Sequence, residues 1–170
     1  MVVDSGTRRE FDTGAVRDIQ EGKGRCDLLP LDVVAALFSV YGDVEMSQVL
    51  YHIYAFLQWG STTELLAAIN YFAINKQISL SDAMLEVSIH YEDGCKKYGE
   101  HNWEKGIPLH SFIDSGVRHL LKFTRGDSDE RHDRAFIWNM LGAVWTVDHK
   151  PDMVDIPAVY SRLTQPDKAE

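Results

Sequence analysis

Residues 135–147, AFIWNMLGAVWTV, carry apolar side chains on nearly every face of a helix. Such a helix has to be covered on all sides, so the stretch predicts the centre of a helical bundle. It continues upstream into DSDERHDR, and the helix is expected from Asp127 to about Asp148. Before it, SFIDSGVRHLLKF predicts a helix from near Ser111 to Gly126. LSDAMLEVSIHYEDGCKKYG predicts another from about Ser81 to Tyr98, with Leu80, Met84, Val87 and Tyr91 facing inward and Gly99 as its stop. Farther out, LDVVAALFSVY, VEMSQVLYHIYAFLQW and TELLAAINYFAIN repeat apolar residues at three and four and are closed by Gly or Asn, giving three more helices. These three gather no acids, His or Gly as a reactive site would, and are assigned to packing or a partner surface. Residues 1–30, rich in Gly and charge, read as an extended arm ending at Pro30, and the tail beyond Pro151 as a surface segment. No segment alternates as a strand does. The expectation is one all-α domain over residues 1–170, with the arm at 1–30, packing helices at 31–82 and chemistry-bearing helices at 83–148.

A chain of 170 residues buries a core without staples, and Cys26 and Cys95 match no zinc or redox spacing, so they read as free thiols in a reducing compartment. With 17 Lys and Arg against 26 Asp and Glu the net charge is −9, which repels a nucleic-acid backbone. A single metal-chelated nucleotide is different, because a divalent cation screens its phosphates and takes acidic oxygen ligands. No apolar run has the length of a membrane span and the start lacks a signal-peptide segment, so a cytoplasmic protein is expected. Walker A, G-x-S-x-G and H-E-x-x-H patterns are all missing from the sequence.

The sharpest chemical feature is DSDERHDR. On a helix starting at Asp127, Glu130 and Asp133 share one face in line with Ile137, Met140 and Val144. Two bare carboxylates on a buried stripe are costly, and a divalent cation offsets that cost. The alternative is a capping box from Asp127 to Glu130, with Asp133 favouring the helix dipole. Asp114 and His119 point inward on the preceding helix, as further ligand or proton-transfer groups, or as a Ser111–Asp114 capping box and a core histidine. Glu92 lies at the edge of its helix's buried stripe and is the preferred ligand there. Glu86 lies on a separate polar row, solvated or completing the carboxylate cluster. Arg118 is suited to a phosphate or a carboxylate. Lys97, Tyr98, Asn102, Trp103 and Lys105 bring together cations, an amide and rings of the kind that hold phosphates and bases, or else form a loop over a helix end. In the arm, Arg17, Lys23 and Arg25 around EGKGRCD give a weak anion-binding signal.

Three strings, TGAVRDIQEGKGRCDLLP, HYEDGCKKYGEHNWEKGIPL and DSGVRHLLKFTRGDSDERHDRAFIWN, resemble phage proteins of the dATP/dGTP diphosphohydrolase type, a MazG-like branch whose MazZ members serve phages that replace adenine by 2-aminoadenine. The resemblance covers residues 4–30 and 83–146, which makes 31–82 a helical insertion in a MazG-like bundle. It implies hydrolysis of purine deoxynucleoside triphosphates, dGTP foremost and dATP with it, to the monophosphate and pyrophosphate, with Mg2+ or Mn2+ on helix-borne acids and a homo-oligomeric assembly. Of the family's two acidic strings, E-x-x-D is matched by Glu130 and Asp133. E-E-x-x-E is missing, which leaves Glu92, Glu86 and Asp114 as rival ligands. Arg118, Lys97 and Lys105 would then take the phosphates, and Trp103, Tyr98, Asn102 and Asn139 the base and sugar. Two other readings stand beside this one. His119, His132 with Asp133, and Asp148 spell the order of an HD-type triphosphohydrolase at short intervals, and a helical nucleotide- or partner-binding protein would turn nothing over.

Overall fold

The computed structural model describes residues 6–164, so both ends of the expected domain, residues 1–5 and 165–170, lie outside the described residues. It is an all-α bundle of α1 (Leu31–Tyr41), α2 (Val44–Trp59), α3 (Thr62–Asn75), α4 (Leu80–Tyr98), α5 (Leu109–Arg125), α6 (His132–His149) and α7 (Pro157–Thr164). Local chemistry sets the boundaries. The Asp43 carboxylate accepts from the Met46 amide at 3.0 Å to start α2, and Ser79 Oγ accepts from the Asp82 amide at 3.1 Å to start α4. Gly60 and Gly126, at φ of 70° and 87°, take the left-handed conformation that stops α2 and α5.

The bundle centres on α5 and α6, which run antiparallel with His119 beside His132, Gly116 beside Asn139 and Met140, and Phe112 beside Gly142. A Cβ on Gly142 would stand 2.3 Å from the Phe112 ring, and one on Gly116 2.3 Å from the Met140 methyl. The absence of two side chains therefore lets the helices approach closely and brings their polar residues face to face. From the 31–82 segment, Phe72 of α3 packs on Phe123 and Phe136 at ring separations of 5.1 and 4.7 Å. That segment thus shares the core with α5 and α6, and burying each such ring contributes roughly 1.5–3 kcal/mol.

The structure corrects three expectations about the elements and gives the surface tail a helix of its own. α6 begins at His132, not Asp127, because the acids before it are drawn into local ion pairs: Asp127 with Arg125, and Asp129 with Lys122 and His132. Glu130 and Asp133 therefore do not share one helix face. The inward face of α4 carries Ala83 and Val87, whereas Leu80 and Met84 are exposed, since the small Ala83 is what permits close contact. The arm contains a short antiparallel hairpin, β1 (Arg8–Glu10) with β2 (Val16–Asp18), whose three-residue strands are too short to display alternation. The tail forms α7, which buries Val159 beside Gly60 at the end of α2. No helix among the described residues is long and apolar enough to cross a membrane.

Candidate active site

A cleft of about 610 Å³ opens between β2, the second half of α4, the loop after it and the α5–α6 pair. Its outer wall is the N-terminal arm, and polar side chains of the bundle fasten that wall. Asn102 grips β2 with two hydrogen bonds, its Oδ1 accepting from the Val16 amide at 2.9 Å and its Nδ2 donating to the Val16 carbonyl at 2.8 Å. Lys97 Nζ and Tyr98 Oη donate to Asp18 at 2.8 and 2.7 Å. Below them, the buried Asp114 accepts from Gln20 Nε2 and the Cys26 amide, each at 2.6 Å, and from Arg118. Arg118 also donates to the carbonyls of Lys23 and Gly24 at 3.3 and 3.1 Å.

On the opposite wall, His119 of α5 meets His132 at the start of α6, Nδ1 to Nδ1, at 3.0 Å. Glu130 Oε1 lies 3.3 Å from the first ring and 3.4 Å from the second. The other nitrogen of His132 is 2.8 Å from Asp129 Oδ1, an acceptor for a proton on Nε2. Burial first, then the neighbouring His132, holds His119 well below its usual pKa and keeps its ring neutral, while burial pushes Glu130 upward. Two imidazoles and a carboxylate, with ligand atoms all within 4.8 Å of one another, make a donor set that fits one divalent cation. Asp127 and Asp129 form a second such group with His132.

Over residues 68–156, just over half of the chain, the sequence matches the family model described as dATP/dGTP diphosphohydrolase, N-terminal. The chain belongs to that family. No curated protein and no solved structure matches it.

Within this chain the match begins inside α3 and takes in α4 to α6, the elements that carry both the His119–Glu130–His132 cluster and the residues gripping the arm. Of the residues singled out from sequence, Glu92, Tyr98, Asn102, Trp103, Arg118, His119, Glu130 and Asn139 line the cleft. Of the arm cations read from sequence, Arg17 and Lys23 line it as well, whereas Arg25, Asp133, Glu86, Lys105, Asp114 and Lys97 do not. Asp133 turns to α3 and is held by Lys76, Arg131 and the Arg134 amide. Burial alone would raise its pKa, but those donors hold it well below the usual carboxylate range. Glu86 is paired with Arg134 and Arg131, and Lys105 reaches only the Gly14 carbonyl, at 3.4 Å. Asp114 and Lys97 are bound to the arm, as are Tyr98, Asn102 and Arg118 at the cleft's edge. Glu92 lines the cleft but is largely exposed and pairs with Lys96 at 2.5 Å. The residue that sequence reasoning passed over is Asp129, with His132 named only within the HD pattern and Arg17 only as a weak anion-binding signal. The signal for His132 was present in its distance from His119 across one helix hairpin.

Proposed function

We propose that this protein hydrolyses purine deoxynucleoside triphosphates, dGTP foremost and dATP with it, to the monophosphate and pyrophosphate. The observation that carries this reading is the convergence of His119, His132 and Glu130, with His119 and Glu130 lining a nucleotide-sized cleft and His132 buried behind them, in a chain of the dATP/dGTP diphosphohydrolase family. The cation would be held by His119 Nδ1, His132 Nδ1 and Glu130, with Asp129 orienting His132 through its Nε2 proton. When bound, it would polarise a phosphoryl oxygen and lower the pKa of a water. The imidazole pair favours Mn2+ over Mg2+, which prefers oxygen ligands throughout. That modifies the all-oxygen site expected from the sequence. Glu92, which lines the cleft and stands apart from the cluster, would accept a proton from water on that side. Trp103 and Trp138 offer ring faces and edges for a purine, and Lys23 and Lys122 line the cleft as cations for phosphates. A role in the nucleotide metabolism of a 2-aminoadenine phage, in the host cytoplasm, fits the same substrates, and a homo-oligomer fits the exposed apolar face of α1, which includes Val33, Leu37 and Val40.

The juxtaposition of His119 and His132 also favours the HD-type triphosphohydrolase, although Asp133 is bound to Lys76 and Asp148 is exposed. Product analysis separates the two. Purified protein with dGTP and Mn2+ should release dGMP and pyrophosphate, and excess EDTA should stop it. Deoxyguanosine with tripolyphosphate would establish the HD-type reaction, and no turnover of dGTP or dATP with either ion would leave a binding protein.

A further inference from the structure

Deep in the cleft, Arg17 of β2 donates from Nη2 to Asn139 Oδ1 at 2.8 Å. Asn139 is itself fixed by donating from Nδ2 to the Ala135 carbonyl at 2.7 Å. The other terminal nitrogen of Arg17, Nη1, is buried and has no hydrogen-bond partner. The guanidinium carbon lies over the rings of Phe112 and Trp138, at 5.2 and 5.4 Å, in cation–π contact with both, while one edge is left unsatisfied. Among the described residues no carboxylate forms an ion pair with it. Arg9 adds to the imbalance. It lines the same cleft, and although its terminal nitrogens donate to Gln20 and Ser111 at 3.0 Å, its Nε is also buried and unpartnered. Burial, and next the charge of Arg9, lower the pKa of Arg17 to about 10, which still leaves it protonated at neutral pH.

A buried cation with an orphan N–H, next to a second cation with another, is an arrangement that folding alone does not favour. A planar fork with no acidic partner matches a phosphoryl oxygen anion, which would satisfy the orphan donor and neutralise both charges. We propose that Arg17, supported by Arg9, is the seat of a phosphate oxyanion: a phosphoryl group of the nucleotide, or the pyrophosphate released from it. The proposal rests on the cleft being the nucleotide site, and it assigns the arm a direct part in binding substrate. Asn139 is then a positioning residue that holds the fork, and Phe112 and Trp138 support it through cation–π contacts.

Titration calorimetry of the full chain with pyrophosphate in excess EDTA tests this without turnover and without a cation. The unsubstituted protein should bind, Arg17→Met should weaken binding at least tenfold, and Arg17→Lys should fall between, since a point charge replaces a fork. Pyrophosphate should also raise the melting temperature of the unsubstituted protein and leave that of Arg17→Met unchanged. If Arg17→Met does not fold, Arg17→Lys carries the comparison. Equal pyrophosphate affinity in the unsubstituted protein and the folded variant, or no binding by either, overturns the proposal. Binding that depends on Arg17 in a protein that hydrolyses no nucleotide would refute the proposed reaction and leave this site standing.

Discussion

Replacing Asp114 by Asn separates two roles that a buried acid on α5 can have. Its carboxylate is 1% exposed and accepts three hydrogen bonds, one from the Arg118 guanidinium and two from arm residues Gln20 and Cys26. Asparagine has one acceptor oxygen, and its amide group faces donors. Breaking a buried ion pair from one side costs about 3–5 kcal/mol. Arg118 keeps its bonds to the Lys23 and Gly24 carbonyls, so the lower end of that range applies, about 3 kcal/mol. For a chain of this size that lowers the melting temperature by roughly 6–12 °C. The loss is centred on the arm, so trypsin should cut after Lys23 or Arg25 faster in the variant. Calorimetric melting gives the first quantity and timed proteolysis the second. A metal ligand behaves in the opposite way, because removing its charge leaves the empty protein as stable or more so while cation affinity falls. An Asp114→Asn protein that melts no lower than its parent would refute the assignment of Asp114 to the arm.

Three further outcomes follow from the same geometry. Gly142→Ala should destabilise by about 1–3 kcal/mol, because its Cβ meets the Phe112 ring, whereas Gly116→Ala meets the end of a flexible methionine and should cost less; urea unfolding ranks the two, and the reverse order would contradict the packing. Glu130→Gln and His132→Ala should each weaken Mn2+ binding by about 10–100-fold in a metal titration, with Asp129→Asn weaker in effect than either. Burial lowers His90 to about 4, so the unfolded chain takes up a proton first as pH falls below its usual 6.5; stability from this residue is complete above 6.5 and is lost towards pH 4, about 3 kcal/mol in all, and His90→Gln should flatten that part of the stability–pH curve.

The helices were legible because periodicity and punctuation acted together. The all-round apolar run at 135–147 is the bundle centre, and Gly99 and Gly126 stop the helices they were expected to stop. Legibility ended where a polar side chain had a choice of partner. Asp114 was singled out as a metal ligand, and Arg118, Lys97, Tyr98 and Asn102 as contacts for phosphates, base and sugar. Their partners are the chain's own arm, 80 to 95 residues away in several cases, a pairing that helix spacing does not encode. Asp133 was misplaced for a related reason, since the face it occupies depends on the residue at which α6 starts, and ion pairs in the preceding turn move that start to His132. The His119–His132 contact, by contrast, follows from a short antiparallel hairpin and needed only the turn between the helices to be recognised.

The fastening of the arm also has a consequence for how the protein reaches its working form. The bonds that build the cleft's outer wall span long separations in the chain, up to the 122 residues between Arg17 and Asn139. Loops of that length are expensive to close before the contacts at their ends can repay them, so such contacts form late. During synthesis the arm is made before every residue that grips it, with α6 completing the set. The helical bundle can therefore be native while the cleft still lacks a wall, and binding competence should lag behind helix formation in refolding.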